Sequence, residues 1–280
     1  MRIMSRCLLS AGILALVTAG ARADLLEDAT SSGQITVGIA NEAPYGYVTP
    51  DGELTGEAPE IAKHILGEMG ITEVEAVITE FGSLIPGLQA GRFDMVAAGM
   101  FVTPERCQQV TFSEPTYGIG QAFLVQEGNP KDLQTYEDIA ADGDTTLAVM
   151  AGAVERGYAR DSGVPDDQVM VMPDTAAGTA AVQAGRADAF ALTSLSIRRL
   201  ADGAAGVEVA EAFGEVAGQS VKGHGAFAFR PEDEAFVEEF NRQLAEFIGS
   251  EEHLTLVEPF GFTEEELPEL TAAELCEQTN

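Results

Sequence analysis

Two rhythms of apolar and polar positions alternate along this chain, one of period two and one near 3.6, and their alternation outlines an α/β protein. Gln34 to Ala40 alternates like a strand and runs into Asn41-Glu42-Ala43-Pro44-Tyr45-Gly46-Tyr47, a loop whose Pro and Gly prevent regular continuation. Glu57 to Gly70 places Ile61, Ile65 and Met69 four residues apart, as an amphipathic helix does. A strand from Val74 to Ile78, a helix from Leu84 to Ala90 and a strand from Asp94 to Ala98 follow, and Thr103 and Pro104 have the residue types of an N-cap and a first helical position. The rhythm then restarts with a strand Leu147 to Met150, a helix from Ala153, a strand Val169 to Met172, a helix Thr175 to Ala184, a strand Asp188 to Leu192 and a helix Ser194 to Ala201. Phe236, Phe240, Leu244 and Phe247 mark a last amphipathic helix, Glu234 to Phe247.

One corner is written twice, as Leu88-Gln-Ala-Gly-Arg-Phe-Asp94 and Val182-Gln-Ala-Gly-Arg-Ala-Asp188. Each copy has a helical approach, a Gly suited to the left-handed end of a helix, and an apolar run suited to a buried strand. A duplicated corner implies two similar lobes, with a cleft between their strand ends where a small ligand fits. Tyr117 to Val125 and Ala226 to Phe229 are the remaining apolar runs able to cross between lobes. The expected division is therefore lobe 1 from residues 24–125 and 226–280, with lobe 2, residues 126–225, inserted into it.

Residues 1–23 change this picture first. Arg2 and Arg6 precede an apolar run from Cys7 to Ala19, and Ala21-Arg22-Ala23 has the form of a cleavage site, so a signal peptide cut near Ala23 and a periplasmic destination are expected. Losing Arg2, Arg6 and Arg22 takes the net charge from −31 to about −34. Such a field repels nucleic acid and anionic lipid, and dispersed acid of this kind suits a solvated, salt-adapted surface. Cys107 and Cys276 survive processing, and in an oxidising compartment they either form one disulfide or remain two thiols.

Candidate chemistry collects at the strand ends. Tyr45, Phe81 and Phe101 present aromatic faces from three separate loops, a set able to box a cation or a flat delocalised ring. Arg106 lies on the first turn of the helix opened by Thr103 and Pro104, where it can grip a carboxylate bidentately. Glu42 can accept from N–H groups of a cationic ligand. Gly152, Ala153 and Val154, at a strand-to-helix turn, can offer backbone N–H groups to an anion, and Thr193 offers a hydroxyl. His64, His224 and His253 form no triad or metal pattern, and no HExxH, Walker or GxSxG motif occurs. No catalytic residue, metal or cofactor is expected.

The run from Phe81 to Tyr117, "FGSLIPGLQAGRFDMVAAGMFVTPERCQQVTFSEPTY", resembles the periplasmic solute-binding proteins of polar amino acid ABC transporters, a likeness covering essentially the whole mature chain. The resemblance implies a two-lobe type II periplasmic binding protein fold with two hinge crossovers, and permease subunits as partners of a protein expected to be monomeric. Three departures from the amino-acid pattern stand out. Phe101 replaces a common Ser or Thr, and Thr193 replaces the acid that holds an α-ammonium; Ala153 likewise stands where Ser or Thr often helps the Arg. These changes resemble the ectoine/hydroxyectoine-binding branch, in which an aromatic box, a Glu and an Arg hold the zwitterion, roles that fall here on Tyr45, Phe81 and Phe101, on Glu42, and on Arg106. An ordinary amino-acid binder is the first alternative, which a retained amine-binding acid elsewhere in lobe 2 would support. A betaine binder is disfavoured because the chain has no Trp for a quaternary ammonium cage. A cyclohexadienyl dehydratase-like enzyme shares the fold.

Overall fold

The protein is described by a computed structural model over residues 24–278, Ala217 excepted, so the expected leader lies outside the described residues. Two open sheets carry the fold. The first runs Glu73–Ile78, Gln34–Ile39, Met95–Phe101, Gly223–Phe229 and Thr111–Phe112, with Tyr117–Ile119 also paired to Gly223–Phe229. Its first three strands are parallel, and Gly223–Phe229 is antiparallel to its neighbours. The second sheet has the same plan: Val169–Met172, Leu147–Met150 and Ala189–Thr193 are parallel, then Gln121–Gln126 and Val207–Val209 are antiparallel. Central strands are nearly all apolar because both faces are covered, as Met95–Phe101 illustrates. The edge strand Glu73–Ile78 carries Glu73 and Glu75, charges that discourage pairing with another chain.

The two amphipathic helices dock as their spacing requires. Glu57–Glu68 buries Ile61, Ile65 and Leu66, and Glu234–Phe247 buries Phe236, Phe240, Leu244 and Phe247. Both join one apolar cluster with Val37, Ile39, Met95, Phe227 and Phe229 of the first sheet, and each fully buried side chain of this size stabilises by roughly 1.5–3 kcal/mol.

The duplicated corner is a duplicated structure. Gly91 and Gly185 have φ of 66° and 64°, a left-handed turn that glycine adopts without steric cost. Asp94 then donates its N–H to the Thr36 carbonyl at 2.8 Å and accepts the Thr36 N–H on its carboxylate at 3.1 Å. Asp188 does the same with Thr146, at 2.8 and 2.8 Å. The acid of each corner thus clamps the strand beside the one it opens, which explains why both copies end in Asp.

Two expectations change. Tyr117 to Val125 is not one strand: Tyr117–Ile119 belongs to the first sheet and Gln121–Gln126 to the second. The chain crosses at Gly120, where a Cβ would lie 2.6 Å from the Phe213 carbonyl oxygen, and it returns in a strand that begins at Gly223. The chain therefore changes sheets at Gly120 and is back in the first sheet from Gly223. The helix expected from Ala153 starts at Glu155, because Gly152 turns with φ 78° and the Ala153 N–H donates to the Met150 carbonyl. Cys107 and Cys276 are disulfide-bonded, with Cα atoms 5.8 Å apart across 169 residues. No helix among the described residues is long and apolar enough to cross a membrane.

Candidate functional site

Between the sheets lies a small cavity lined from both lobes. Glu42, Tyr45, Phe81, Phe101 and Arg106 line it from the first lobe, and Ala153, Val154 and Thr193 from the second, with Ala98, Gly99, Met150, Glu155 and Leu192 completing the wall. The loop after the first strand is folded tightly: the Glu42 carbonyl accepts from the N–H groups of Tyr45 and Gly46 at 2.9 and 3.0 Å. That turn points both the Glu42 and the Tyr45 side chains at the cleft.

Tyr45 is held from behind and tied in front. Its ring stacks on Tyr117 with centroids 5.1 Å apart, and Phe262 packs edge-on against both rings. Its hydroxyl donates to Thr193 Oγ1 at 2.8 Å, a bond between the lobes. The Thr193 hydroxyl oxygen is therefore already used as an acceptor, and it also caps the helix Ser194–Gly203 by accepting from the Ser196 N–H. Phe101 lies at the border of cavity and core: it lines the void, but its ring packs where a Cβ on Gly223 would come within 1.9 Å, so glycine makes room for it.

Arg106 is buried, and burial lowers its pKa against the opposing pull of Glu155. Its Nη1 donates to the Phe101 carbonyl at 2.7 Å and its Nη2 to the Gly152 carbonyl at 3.0 Å. The guanidinium carbon stands 5.4 Å from the Phe81 ring centroid, so Phe81 already faces a cation. The Gly152 carbonyl thus serves the Arg106 guanidinium, and Gly152 is not among the residues lining the cavity. The Ala153 N–H is likewise spent inside the turn.

The electrostatics turn on two acids from opposite lobes. Burial pushes Glu42 up to about 7 while the Ser196 hydroxyl, donating to Glu42 Oε1 at 2.6 Å, opposes the rise. Burial also pushes Glu155 up to about 7; its own backbone N–H and Arg106 oppose this, and the charge of Glu42 adds to it. With its amide oriented to satisfy both ends, Gln121 donates to Glu155 Oε1 at 3.0 Å and to the Leu192 carbonyl at 3.1 Å. Glu155 Oε2 is buried with no partner. An orphaned carboxylate oxygen on a cavity wall is costly unless a donor arrives there.

Sequence reasoning missed Glu155, Ser196, Gln121 and Tyr117. An acid on the first turn of a helix has an ordinary explanation in the helix dipole, which hides Glu155 among 46 acidic residues. Ser196 meets Glu42 only where the lobes pack together, while Tyr117 and Gln121 reach Tyr45 and Glu155 through folding within one lobe.

The groups lining this cavity match a small zwitterion chemically, a cationic guanidinium for an anionic end and aromatic faces with buried carboxyls for a cationic end. Comparisons with known proteins agree with this geometry. The model for the bacterial extracellular solute-binding proteins, family 3, matches residues 35–263. A probable amino-acid ABC transporter periplasmic-binding protein of Sinorhizobium fredii is 39% identical over 258 residues, which is 90% of this chain and 85% of the relative. The crystal structure of EhuB in complex with hydroxyectoine superposes with a TM-score of 0.84 at 37% identity, over 92% of this chain and 100% of that one. An ancestral amino acid-binding protein, described as a precursor of cyclohexadienyl dehydratase, superposes with a TM-score of 0.73 at 28% identity, over 84% and 98% of the two chains. This chain belongs to the bacterial extracellular solute-binding proteins of family 3.

Proposed function

We propose that this protein, a solute-binding protein of an amino-acid-type ABC importer, delivers ectoine or hydroxyectoine to its permease. The observation that carries the reading is the composition of one cavity: a buried Arg106, the aromatic faces of Tyr45, Phe81 and Phe101, and the buried carboxyls of Glu42 and Glu155. Ectoine has a carboxylate for the guanidinium, a delocalised ring cation for the aromatic faces, and ring N–H groups for a carboxylate to accept. It has no free α-ammonium, and the position where the resemblance places an ammonium clamp holds Thr193, whose hydroxyl fastens Tyr45 instead. The likeness to the hydroxyectoine complex of EhuB supports the same assignment. In this reading the chain is exported to the periplasm, is cut near Ala23 and works as a monomer without catalysis.

A second reading has its own support. Glu155 is an acid in the second lobe with a free buried oxygen, and it could hold an α-ammonium; the relative from Sinorhizobium fredii is described as an amino-acid transporter component. Thermal-shift and calorimetric titration against ectoine, hydroxyectoine, glycine betaine and the common amino acids separates the two. Stabilisation that grows logarithmically with ectoine or hydroxyectoine concentration is expected. A flat response to both solutes with a clear response to an amino acid overturns the assignment.

A further inference from the structure

Arg106 is carried by an element too short to hold itself. The helix Pro104–Cys107 is one turn long, closed by the Cys107 N–H donating to the Thr103 carbonyl at 2.9 Å and capped by Thr103 Oγ1 at 3.3 Å from the Arg106 N–H. Isolated helices of this length are not stable in water. Successive helical residues point about 100° apart, so Arg106 can turn to the cleft while Cys107 turns to the other side. There it is bonded to Cys276.

Cys276 ends a second short helix, Ala272–Cys276, which is anchored independently. Ala272 and Leu275 are buried in the apolar cluster that also holds Phe81 and Leu84. The Ala272 N–H donates to Glu114 Oε2 at 3.1 Å, and the Glu114 N–H donates to Asn241 Oδ1 at 2.9 Å, on the helix Glu234–Phe247. One covalent bond thus joins the residue next to Arg106 to a tail fixed on the first lobe.

We propose that the Cys107–Cys276 bond is a positioning device for Arg106, holding its one-turn helix so that the guanidinium stays in register with the cleft. Loss of the bond weakens binding of a carboxylate ligand without unfolding the lobe. The inference rests on the reading of Arg106 as the clamp for that carboxylate.

Amide hydrogen exchange on the parent, on Cys276→Ser and on the Cys107→Ser/Cys276→Ser double variant tests the tether without any ligand. Protection is expected to fall over residues 103–110 and 271–276 and to stay unchanged elsewhere. Calorimetric titration with ectoine then tests the consequence: removing the bond is expected to weaken binding about tenfold in the parent but less than about twofold in an Arg106→Lys background, where the fork is already gone. Unchanged affinity, equal losses in both backgrounds, or protection lost throughout the first lobe overturns the proposal, as does failure of both cysteine variants to fold, because the bond is then a general staple. If the parent binds no ectoine, the functional reading fails, and the exchange pattern over 103–110 alone decides the tether.

Discussion

Arg106 illustrates how much a single residue depends on its acceptors. Its two terminal nitrogens donate to the Phe101 and Gly152 carbonyls, which are neutral acceptors, whereas a carboxylate adds the opposite charge and a geometry that matches the guanidinium fork. Arg106→Ala is expected to cost roughly 2–5 kcal/mol of ligand binding, because a desolvated carboxylate is left without its partner. Arg106→Lys recovers part of this, since a point charge cannot reproduce the fork. Isothermal titration checks both, and an Arg106→Ala protein that binds within about twofold of the parent would show that the clamp is elsewhere. At this scale the sequence was readable wherever a residue's local chemistry is unusual. Arg106 directly follows a Thr-Pro-Glu helix start, whereas Ser196 is one serine on a helix and gives no sign of the carboxylate it meets from a loop 154 positions away.

Among the elements, the helix Ser194–Gly203 has the most influence on closure. Thr193 just before it receives the Tyr45 hydroxyl, Ser196 donates to Glu42 Oε1 and to the Ala43 carbonyl, and Arg199 donates to the Pro259 carbonyl at 3.2 Å. Leu195 joins the apolar cluster of the other lobe. The start of this helix therefore bridges the lobes, with the Thr193 and Ser196 hydroxyls buried between them. Ser196→Ala is expected to weaken ligand binding by roughly 1–2 kcal/mol, the worth of one hydrogen bond to an ionisable group, with little effect on the melting of the empty protein if that protein is open in solution. Titration together with small-angle scattering of the empty and liganded forms checks this, and unaltered affinity overturns the role given to this bridge. The element itself was legible from its apolar spacing. Its role was not, because periodicity reports which face is buried and never what buries it.

Proton binding belongs to the whole molecule. Burial pushes Glu42 and Glu155 up to about 7 and Glu57 up to about 8, all above the ordinary carboxylate value near 4.5. A group whose pKa is raised by folding stabilises fully below its unfolded value, and that stability is lost as pH rises through the folded value. The same burial holds His253 down at about 4, which costs stability below pH 6.5 and nothing above it. Between pH 6.5 and 8 the carboxyls act alone, so the melting temperature of the closed, empty protein is expected to fall as pH rises and then level off. A cationic ligand end favours the ionised carboxylates, so binding at pH 6 is expected to release protons. Calorimetry in buffers of different ionisation enthalpy measures that release, and an enthalpy independent of buffer would mean that Glu42 and Glu155 are already ionised in the empty cleft.

The sequence by itself determined the local folding code. The helix Glu234–Phe247 follows from Phe and Leu at helical spacing, and the twin corners follow from Gly at the left-handed turn and Asp at the next strand. These are short-range effects of sterics, capping and burial, so neighbouring residues suffice to state them. The aromatic and Arg positions at the strand ends were readable for the same reason. Only the tertiary structure decided where the chain changes sheets, because Gly120 lies inside a mostly apolar run that reads as one strand and its meaning comes from the Phe213 backbone packed against it. It alone also brought Glu155 and Glu42 to one cavity, turned Thr193 toward Tyr45 and set Cys276 beside Cys107. Each of these is a meeting of residues far apart in sequence, created when the lobes pack and close, and no local pattern encodes the free energy of such a meeting.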